Sequence, residues 1–369
     1  MTTLASGIET NSFSDSYAVA RPLFLSACDR LPKEMHTVHK VYRHPLSGPA
    51  GEELACDVLF ASYSQAPRQV LVVMSATHGV EGFAGSAIQV DCLPLLVPVL
   101  RQNPNLGIVF IHAMNPWGFA WHRRCDHEGI DINRNFVDFA ALPAEEPDFS
   151  ELYTALTTQV WTEGSDMSQL WQGNGFEWFT NTITRGHYKA AEAPFFGGHH
   201  SSWSRTTLEQ ITAEPFITHA DRVAVIDIHT GLGPYGYGEL INDHIPATAG
   251  FARVEQWYGN NAASAVMGES CSGLKSGLVD YHWHEVIGER GCFVTLEFGT
   301  FSVLQLLTSL INEQLYHNDC VRQGVERDPA SLAVQALKRF FNPAEKSWQQ
   351  QVLFRGRQVL DMALSGIQS

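Results

Sequence analysis

Residues 69–82, QVLVVMSATHGVEG, place a run of apolar residues directly before a polar turn. The run QVLVVMSA is continuously apolar, which is typical of a strand buried on both faces of a parallel sheet. After it come His78 and Glu81, flanked by Gly79 and Gly82, which favour a tight turn. A helical pattern follows at 84–100. The stretch therefore predicts a strand, a polar turn and a helix, the repeating unit of α/β sheets.

Strand and helix patterns alternate along the rest of the chain, without an internal repeat. We expect an α/β fold, an open sheet with helices on both sides, in a single domain spanning residues 1–369. The stretch at about 140–205 is rich in Gly, Trp, Thr and polar residues and predicts a long irregular insertion. The other strand candidates are 58–63, 106–113, 222–229 and 292–298, and the other helix candidates are 15–30, 205–220, 247–267, 303–320 and 330–341.

The composition limits the classes of partner. The chain has 369 residues, 44% of them hydrophobic, and a net charge of −15, so we expect no nucleic-acid or anionic membrane partner. No basic and apolar leader begins the sequence, and no apolar run approaches the roughly 18 residues of a membrane span. The seven cysteines are scattered without a CxxC pair, which favours reduced thiols and a cytoplasmic location. The oligomeric state stays open.

Polar residues stand where four of the predicted strands end, which is the edge at which open α/β sheets bind ligands. His78 and Glu81 form an HxxE pair after the first strand, and His229 ends the strand at 222–229. Zinc hydrolases use two or three histidines with a carboxylate and leave one position open for water. We therefore predict that His78, Glu81 and His229 bind one Zn²⁺ per chain. A second HxxE pair, His282 and Glu285 in YHWHEV, is the weaker candidate, because we expect His282 and His284 on one face of a strand.

Two acidic residues accompany these candidate ligands. Asp227 precedes His229 by two residues and is placed to support it. Glu297 ends the strand at 292–298, where an unpaired carboxylate would be costly to bury. Beside a metal-activated water it would act as a general base.

The segment 121–136 holds three arginines in a chain that has few. Arginine offers a planar fork that matches a carboxylate, and asparagine adds a neutral donor. We interpret Arg123, Arg124, Asn133 and Arg134 as a clamp for a substrate anion, with surface ion pairs as the alternative.

Five motifs in this order resemble the zinc carboxypeptidase (M14-like) superfamily, which includes aspartoacylase and succinylglutamate desuccinylase, and most of all its uncharacterised DUF2817 branch. The resemblance covers roughly residues 20–320 and implies a three-layer α/β/α sandwich around a mixed, mostly eight-stranded sheet. It implies zinc ligation by His78, Glu81 and His229, and Glu297 as general acid/base. It also implies that Arg123 stabilises the oxyanion, and that Asn133 and Arg134 hold a substrate carboxylate. The motifs are HGVEG (78–82), NPWGF (115–119), RR…DINRNF (123–136), DIHTG (227–231) and LEFGT (296–300).

The sequence departs from classical carboxypeptidases at one place. Their mobile tyrosine, eight residues before an aspartate, corresponds to Ser272, counted back from Asp280. This favours a small substrate, and we expect a zinc-dependent amide hydrolase of carboxypeptidase or N-acyl-amino-acid deacylase type, acting on a small molecule or short peptide. The alternative is a non-catalytic zinc protein that binds a carboxylate ligand. Whether Arg123 or Arg124 faces the zinc stays open.

Overall fold

A computed structural model describes residues 7–142, 147–158, 167–259, 262–271, 273 and 275–369. Its strands are β1 (His36–Ser47), β2 (Glu53–Ser62), β3 (Gln69–Ser75), β4 (Leu106–His112), β5 (Arg222–Gly231), β6 (Gly238–Asn242), β7 (Ala262–Ser264) and β8 (Gly291–Gly299). Its helices are α1 (Tyr17–Asp29), α2 (Gly82–Gln102), α3 (Pro116–Ala120), α4 (Pro147–Thr158), α5 (Phe176–Thr184), α6 (Trp203–Thr212), α7 (Pro215–Thr218), α8 (Ala249–Tyr258), α9 (Val279–Ile287), α10 (Val303–Gln323), α11 (Leu332–Phe341) and α12 (Lys346–Gln368).

The described strands form one mixed sheet of eight, in the order β1-β2-β4-β3-β5-β8-β6-β7. The four central strands β4, β3, β5 and β8 are parallel, whereas β2 and β6 pair with them antiparallel. The predicted α/β fold with a mixed eight-stranded sheet is confirmed. Because the chain runs from β3 to β4 on one side and then returns to β5 on the other, the strand order reverses beside β3. Ligand sites of open α/β sheets lie at such a reversal, outside the carboxyl ends of the strands.

Strand β3 shows why the continuous apolar run is needed. Leu71 and Val73 belong to one hydrophobic core, with α1, α2, α8 and α12, while Val72 and Met74 belong to another, with α6, α7 and α9. Successive side chains of a strand point to opposite faces, so a strand covered on both sides is apolar at every position.

Helix α2 extends a few residues beyond the expected 84–100, and it corrects the expectation that no segment of the chain approaches a membrane span. The stretch Gly79–Gln102 is long and apolar enough, with a mean hydropathy of 1.7, to cross a membrane by length and composition alone. In the fold, 67% of that window is buried, and α2 packs into the core with α1 and α12. This is the arrangement of a core helix.

The stretch at 140–205 is not uniformly irregular. Within its described residues lie the helices α4 and α5, whose apolar side chains share a third core with α10 and α11. Val80, next to the candidate ligand Glu81, belongs to the same core. This part of the chain therefore supports one wall of the candidate site.

Two further elements differ from expectation. The helix expected over 247–267 ends at Tyr258, because Gly259 adopts φ +69° and stops the helix, and β7 follows. The segment YHWHEV lies in helix α9 and not in a strand. His282 there contacts Thr212 through Nε2 at 2.9 Å, so it belongs to the helical layer and not to the cluster of candidate ligands.

Candidate metal centre and active site

The three candidate metal ligands converge at the reversal of strand order. His78, Glu81 and His229 are all buried, and each offers one ligand atom within 4.8 Å of the other two. Nδ1 of His78 lies 2.9 Å from Oε1 of Glu81, and Nδ1 of His229 lies 3.3 Å from Oε2 of Glu81. The two Nδ1 atoms are 3.1 Å apart. Both imidazoles thus direct the same nitrogen toward one point beside the carboxylate.

The opposite nitrogen of each ring faces a carboxylate. Nε2 of His229 lies 2.8 Å from Oδ2 of Asp227, and Nε2 of His78 lies 3.2 Å from Oδ1 of Asp131. A carboxylate on the outer nitrogen fixes the ring and leaves the inner nitrogen free to ligate a metal. Two such imidazoles and one carboxylate, with a position left over, are the donor set of a catalytic zinc site. The residues present therefore fit this metal.

The charges of the centre are mutually compensated. Burial alone would raise the pKa of Glu81, but His78, His229 and Arg124 together hold it below its usual range. Burial likewise opposes the charged form of His229, yet Asp227 and Glu81 raise its pKa well above the ordinary value. Glu81 thus remains an anion at neutral pH, as a metal ligand requires.

The turn that carries His78 and Glu81 packs closely against the main chain of residues 118–124. A Cβ on Gly79 would lie 2.1 Å from the carbonyl carbon of Gly118, so only glycine fits. The amide of Gly79 donates to the carbonyl of Arg124 at 3.2 Å, and the amide of Val80 donates to that of Arg123 at 2.8 Å. The HGVEG and RR motifs therefore meet through the main chain.

The side chains of the two arginines point in different directions, which corrects the assignment of Arg123. Arg123 is fully buried away from the centre, where it contacts Gln314 at 2.7 Å and pairs with Glu313 at 3.2 Å. The structure therefore does not place Arg123 beside the candidate metal ligands. That position is held by Arg124.

Arg124 contacts three side chains of the centre. Its Nη1 donates to Glu81 at 2.9 Å, its Nε donates to Asp131 at 2.9 Å, and its Nη2 lies 2.7 Å from Nε2 of His78. The guanidinium also lies over the ring of Phe195, 5.1 Å from its centroid. The sequence left the choice between the adjacent arginines open. A shift of one residue along the chain changes which of the two side chains faces the candidate metal ligands.

Glu297 lines the same cavity from strand β8. Its Oε1 accepts a hydrogen bond from the amide of Leu232 at 2.9 Å, and the residue is 8% exposed. Burial, followed by the negative charge of Glu81, raises the pKa of Glu297 to about 7. A carboxyl group with such a pKa can accept and return a proton near neutral pH.

Asn133 and Arg134 also line this cavity, from the turn after Asp131. Asn133 accepts a hydrogen bond from the amide of Val279 at 2.8 Å. Arg134 is fully buried and donates to the carbonyls of Thr184 and Asn133. Burial lowers the pKa of Arg134 to about 10, and none of the described carboxylates forms an ion pair with it. The surface ion pair considered as the alternative for Arg134 is therefore not what the structure shows.

The structure adds residues that sequence reasoning did not assign to the site. Asp131 contacts both His78 and Arg124, and the only sign of this in the sequence is its place in DINRNF. The cavity is also lined by Asp243, Lys275 and Asp280, which come from separate segments of the chain. Ser272 lies outside the described residues. A second grouping of possible ligand atoms, Asp126, His127 and Glu128, is more exposed and lies on one short turn.

Solved structures similar to this chain share low sequence identity with it. A carboxypeptidase A from Helicoverpa armigera has a TM-score of 0.44 at 13% identity, covering 91% of this chain and 76% of that one. A metallo-carboxypeptidase from Pseudomonas aeruginosa, in complex with (2-guanidinoethylmercapto)succinic acid, has a TM-score of 0.42 at 13% identity, covering 93% and 68%. A succinylglutamate desuccinylase from a Silicibacter species has a TM-score of 0.34 at 12% identity, covering 79% and 68%.

No curated protein matches the chain in sequence. A family described as "Protein of unknown function (DUF2817)" matches residues 13–355, which is most of the chain. This protein therefore belongs to the DUF2817 family.

Proposed function

We propose that this protein is a zinc-dependent hydrolase of an amide bond in a small substrate that bears a carboxylate. The observation that carries the proposal is one cavity lined by the His78–Glu81–His229 cluster, by Glu297 and by Arg134. A metal site, a proton acceptor and a buried cation are the three parts that metal-assisted amide hydrolysis needs. The substrate classes that fit are C-terminal residues of short peptides and N-acyl amino acids.

His78, Glu81 and His229 would hold the zinc ion. When bound, zinc polarises a carbonyl group and lowers the pKa of water at the site. Asp227 and Asp131 keep the outer nitrogens of the two imidazoles as donors, so that the Nδ1 atoms present lone pairs to the metal.

Glu297 would take the proton of the attacking water and return it to the leaving nitrogen. It is not needed as a ligand, since the three-residue cluster is complete without it. The Leu232 amide holds Oε1, which leaves Oε2 for this exchange. A non-catalytic protein that binds only a carboxylate has no use for such a base.

Arg124 would stabilise negative charge on the carbonyl oxygen. With Nδ1 of His78 engaged as a ligand, the ring proton is on Nε2, where Asp131 accepts it. Arg124 Nη2 can then no longer donate to that nitrogen and is available to a substrate oxygen. Donors held next to the reacting carbonyl are worth about 3–4 kcal/mol of barrier.

Arg134 and Asn133 would bind the carboxylate of the substrate. A buried guanidinium without an ion-pair partner among the described residues attracts an anion, and its fork matches a carboxylate. The distance between this pair and the metal ligands would then decide which bond of the substrate lies at the metal.

The experiment that tests the proposal is hydrolysis of a panel of dipeptides and N-acetyl amino acids by the purified protein, with and without zinc. We expect zinc-dependent release of a free amino acid from at least one class. If zinc binds at the cluster but no amide in either class is cleaved, the proposed hydrolysis of these substrate classes is wrong.

A further inference from the structure

One side of helix α5 lines the cavity from the first residue of the helix to the last. The lining residues on this helix are Phe176, Thr180, Asn181 and Thr184. Residues spaced by about one turn lie on the same side of a helix, so these four side chains face the cavity together. At a rise of about 1.5 Å per residue, Phe176 lies roughly 12 Å along the helix axis from Thr184. Helix α5 is therefore long enough to run beside a small substrate from end to end.

The C-terminal end of α5 lies at the residues that we assign to the substrate carboxylate. The carbonyl of Thr184 accepts hydrogen bonds from Nε of Arg134 at 3.0 Å and from Nη2 of Arg134 at 2.7 Å. A substrate whose carboxylate is held by Arg134 therefore starts beside this end of the helix. The rest of the substrate would extend along α5 toward Phe176.

Phe176 is part of an apolar wall that includes a second helix. Val303 and Leu306, at the start of α10, line the same cavity. Phe179 shares a hydrophobic core with Leu306, and the ring centroid of Phe176 lies 6.4 Å from that of Phe179. Phe176 and Val303 are nevertheless 42% and 37% exposed. Two large apolar side chains that line one cavity and remain open to solvent favour an apolar ligand.

This apolar wall adjoins the candidate metal centre. Leu306 shares its core with Phe341, which also lines the cavity, and with Val80, the neighbour of the candidate ligand Glu81. The hydroxyl of Thr230 donates to the carbonyl of Phe341 at 2.9 Å. A group that binds against the wall is therefore close to the metal ligands.

The charged side chains of the cavity come from other parts of the chain. Among the described residues, α5, α10 and α11 contribute no carboxylate and no cation to the lining. A charged group at the wall would lose its hydration without gaining an ion pair, whereas an apolar group gains free energy by leaving water. The carboxylates and cations that do line the cavity are Glu81, Arg124, Arg134, Asp243, Lys275, Asp280 and Glu297.

We propose that Phe176, Val303 and Leu306 bind an apolar acyl chain of the substrate. This inference rests on the proposed function and gives it a substrate class: N-acyl amino acids whose acyl group has several carbon atoms. Asn133 and Arg134 would hold the amino-acid carboxylate, and the acyl chain would lie between α5 and α10. The products of hydrolysis would be a free amino acid and an aliphatic carboxylic acid.

The first test measures turnover with acyl chains of increasing length. N-acetyl-, N-butanoyl-, N-hexanoyl- and N-octanoylglycine have the same leaving amino acid, so differences in kcat/KM report on the acyl side alone. We expect kcat/KM to rise along the series, by up to about 4-fold for each methylene group that becomes buried. Phe176→Ser and Val303→Ser should each reduce the ratio of octanoyl to acetyl activity by about 5-fold or more.

Phe354→Ser is the matched control. Phe354 is 60% exposed on α12 and lines a different groove, so this variant removes the same side chain from another surface. Its ratio of octanoyl to acetyl activity should equal that of the unaltered protein. Equal kcat/KM for the acetyl and octanoyl substrates in the unaltered protein would overturn the apolar subsite and retain the hydrolase. An unchanged ratio in both cavity variants, or the same fall in the control, would also overturn the subsite.

A binding measurement separates this inference from the proposed function. In the ketone analogues of N-acetylglycine and N-octanoylglycine, a methylene group replaces the amide nitrogen, so there is no amide bond to cleave. Their affinities for the zinc-loaded protein are measured by isothermal titration calorimetry. We expect the octanoyl analogue to bind at least ~10-fold more tightly, and Phe176→Ser to reduce this preference. Such binding without cleavage of any N-acylglycine would retain the subsite and overturn the hydrolase, whereas equal affinities would overturn the subsite.

Discussion

His229 and Glu297 are register partners on the adjacent parallel strands β5 and β8. Because opposed residues of neighbouring strands point to the same face of a sheet, the candidate ligand and the candidate base lie side by side on a rigid support. The pairing of β5 with β8 continues from Val223 to Gly231, so neither residue depends on a loop for its position. Sites built on strands hold their geometry more closely than sites built on loops.

The first prediction concerns metal content. The purified protein should contain about one zinc ion per chain, and His78→Ala or His229→Ala should lose most of it, because each removes one of three protein ligands. Metal content is measured by mass spectrometry after dialysis. His282→Ala serves as a control, since His282 contacts Thr212 and not the cluster. Full zinc content in both ligand variants would show that the ion binds elsewhere.

The second prediction concerns Glu297. Glu297→Gln should retain zinc and lose about 10²–10⁴ in kcat, the usual effect of removing a general base. In the unaltered enzyme, kcat/KM should fall as the pH is lowered through the pKa of Glu297, because the base must be ionised. That pKa is raised to about 7 by burial and by Glu81, and a bound cation shifts it downward, so the acidic limb should lie at or below pH 7. Normal turnover in Glu297→Gln would remove this residue from the mechanism.

The third prediction separates the adjacent arginines. Arg124→Ala should reduce kcat by about 10²-fold or more, because Arg124 lies at the cluster, whereas the folded fraction of Arg123→Ala should keep most of its kcat. Arg123→Ala should lower the free energy of unfolding by on the order of 3 kcal/mol, since it leaves Gln314 without its donor and weakens a buried ion pair. Kinetics at saturating substrate distinguishes the two variants, and urea denaturation gives the folded fraction to which each kcat is normalised. The opposite pattern would restore Arg123 as the residue that faces the substrate.

Much of the fold could be predicted from the sequence because the central strands are apolar at every position. Strands β3, β4, β5 and β8 coincide with the predicted runs to within a few residues. Strand β1 at the sheet edge was not predicted, since it is largely exposed and its residues HTVHKVYRHPLS carry little apolar signal. Helix α12 was missed for a similar reason, because polar residues interrupt its buried face.

Four residues of the candidate site could be predicted because they stand at strand ends. His78, Glu81, His229 and Glu297 all follow or end apolar runs, so the sheet itself brings them together. Asp243, Lys275 and Asp280 come from segments that are close only after folding, and the polar character of each is ordinary for a loop or helix start. The choice between Arg123 and Arg124 depends on the direction of one turn, which no composition or spacing rule specifies.

The fourth prediction concerns Arg134. Arg134→Ala should reduce kcat/KM at least ~10-fold on a substrate with a free carboxylate and have little effect on its amidated analogue. Arg134→Lys should recover only part of the loss, because an ammonium keeps the charge and not the fork. The ratio of kcat/KM for the acid and the amide is compared within each variant. Because the lost hydrogen bonds to Thr184 would lower the amount of folded protein equally for both substrates, they do not change this ratio. An equal loss on both substrates would show that Arg134 supports the fold and does not bind a carboxylate.

The fifth prediction concerns the stability cost of Asp280. Its folded-state pKa is raised by burial and by Asp243, so the folded protein binds this proton more tightly than the unfolded chain does. The stability of the folded state should therefore be lost as the pH rises from about 4, the unfolded pKa, toward the raised folded value. Asp280→Asn lacks this titration. It should be more stable than the unaltered protein at pH 8, and the difference should shrink toward pH 4. Urea denaturation at the two pH values measures this, with Asp319→Asn as the exposed control. A difference that does not change with pH would mean that the Asp280 carboxylate is compensated in the folded protein.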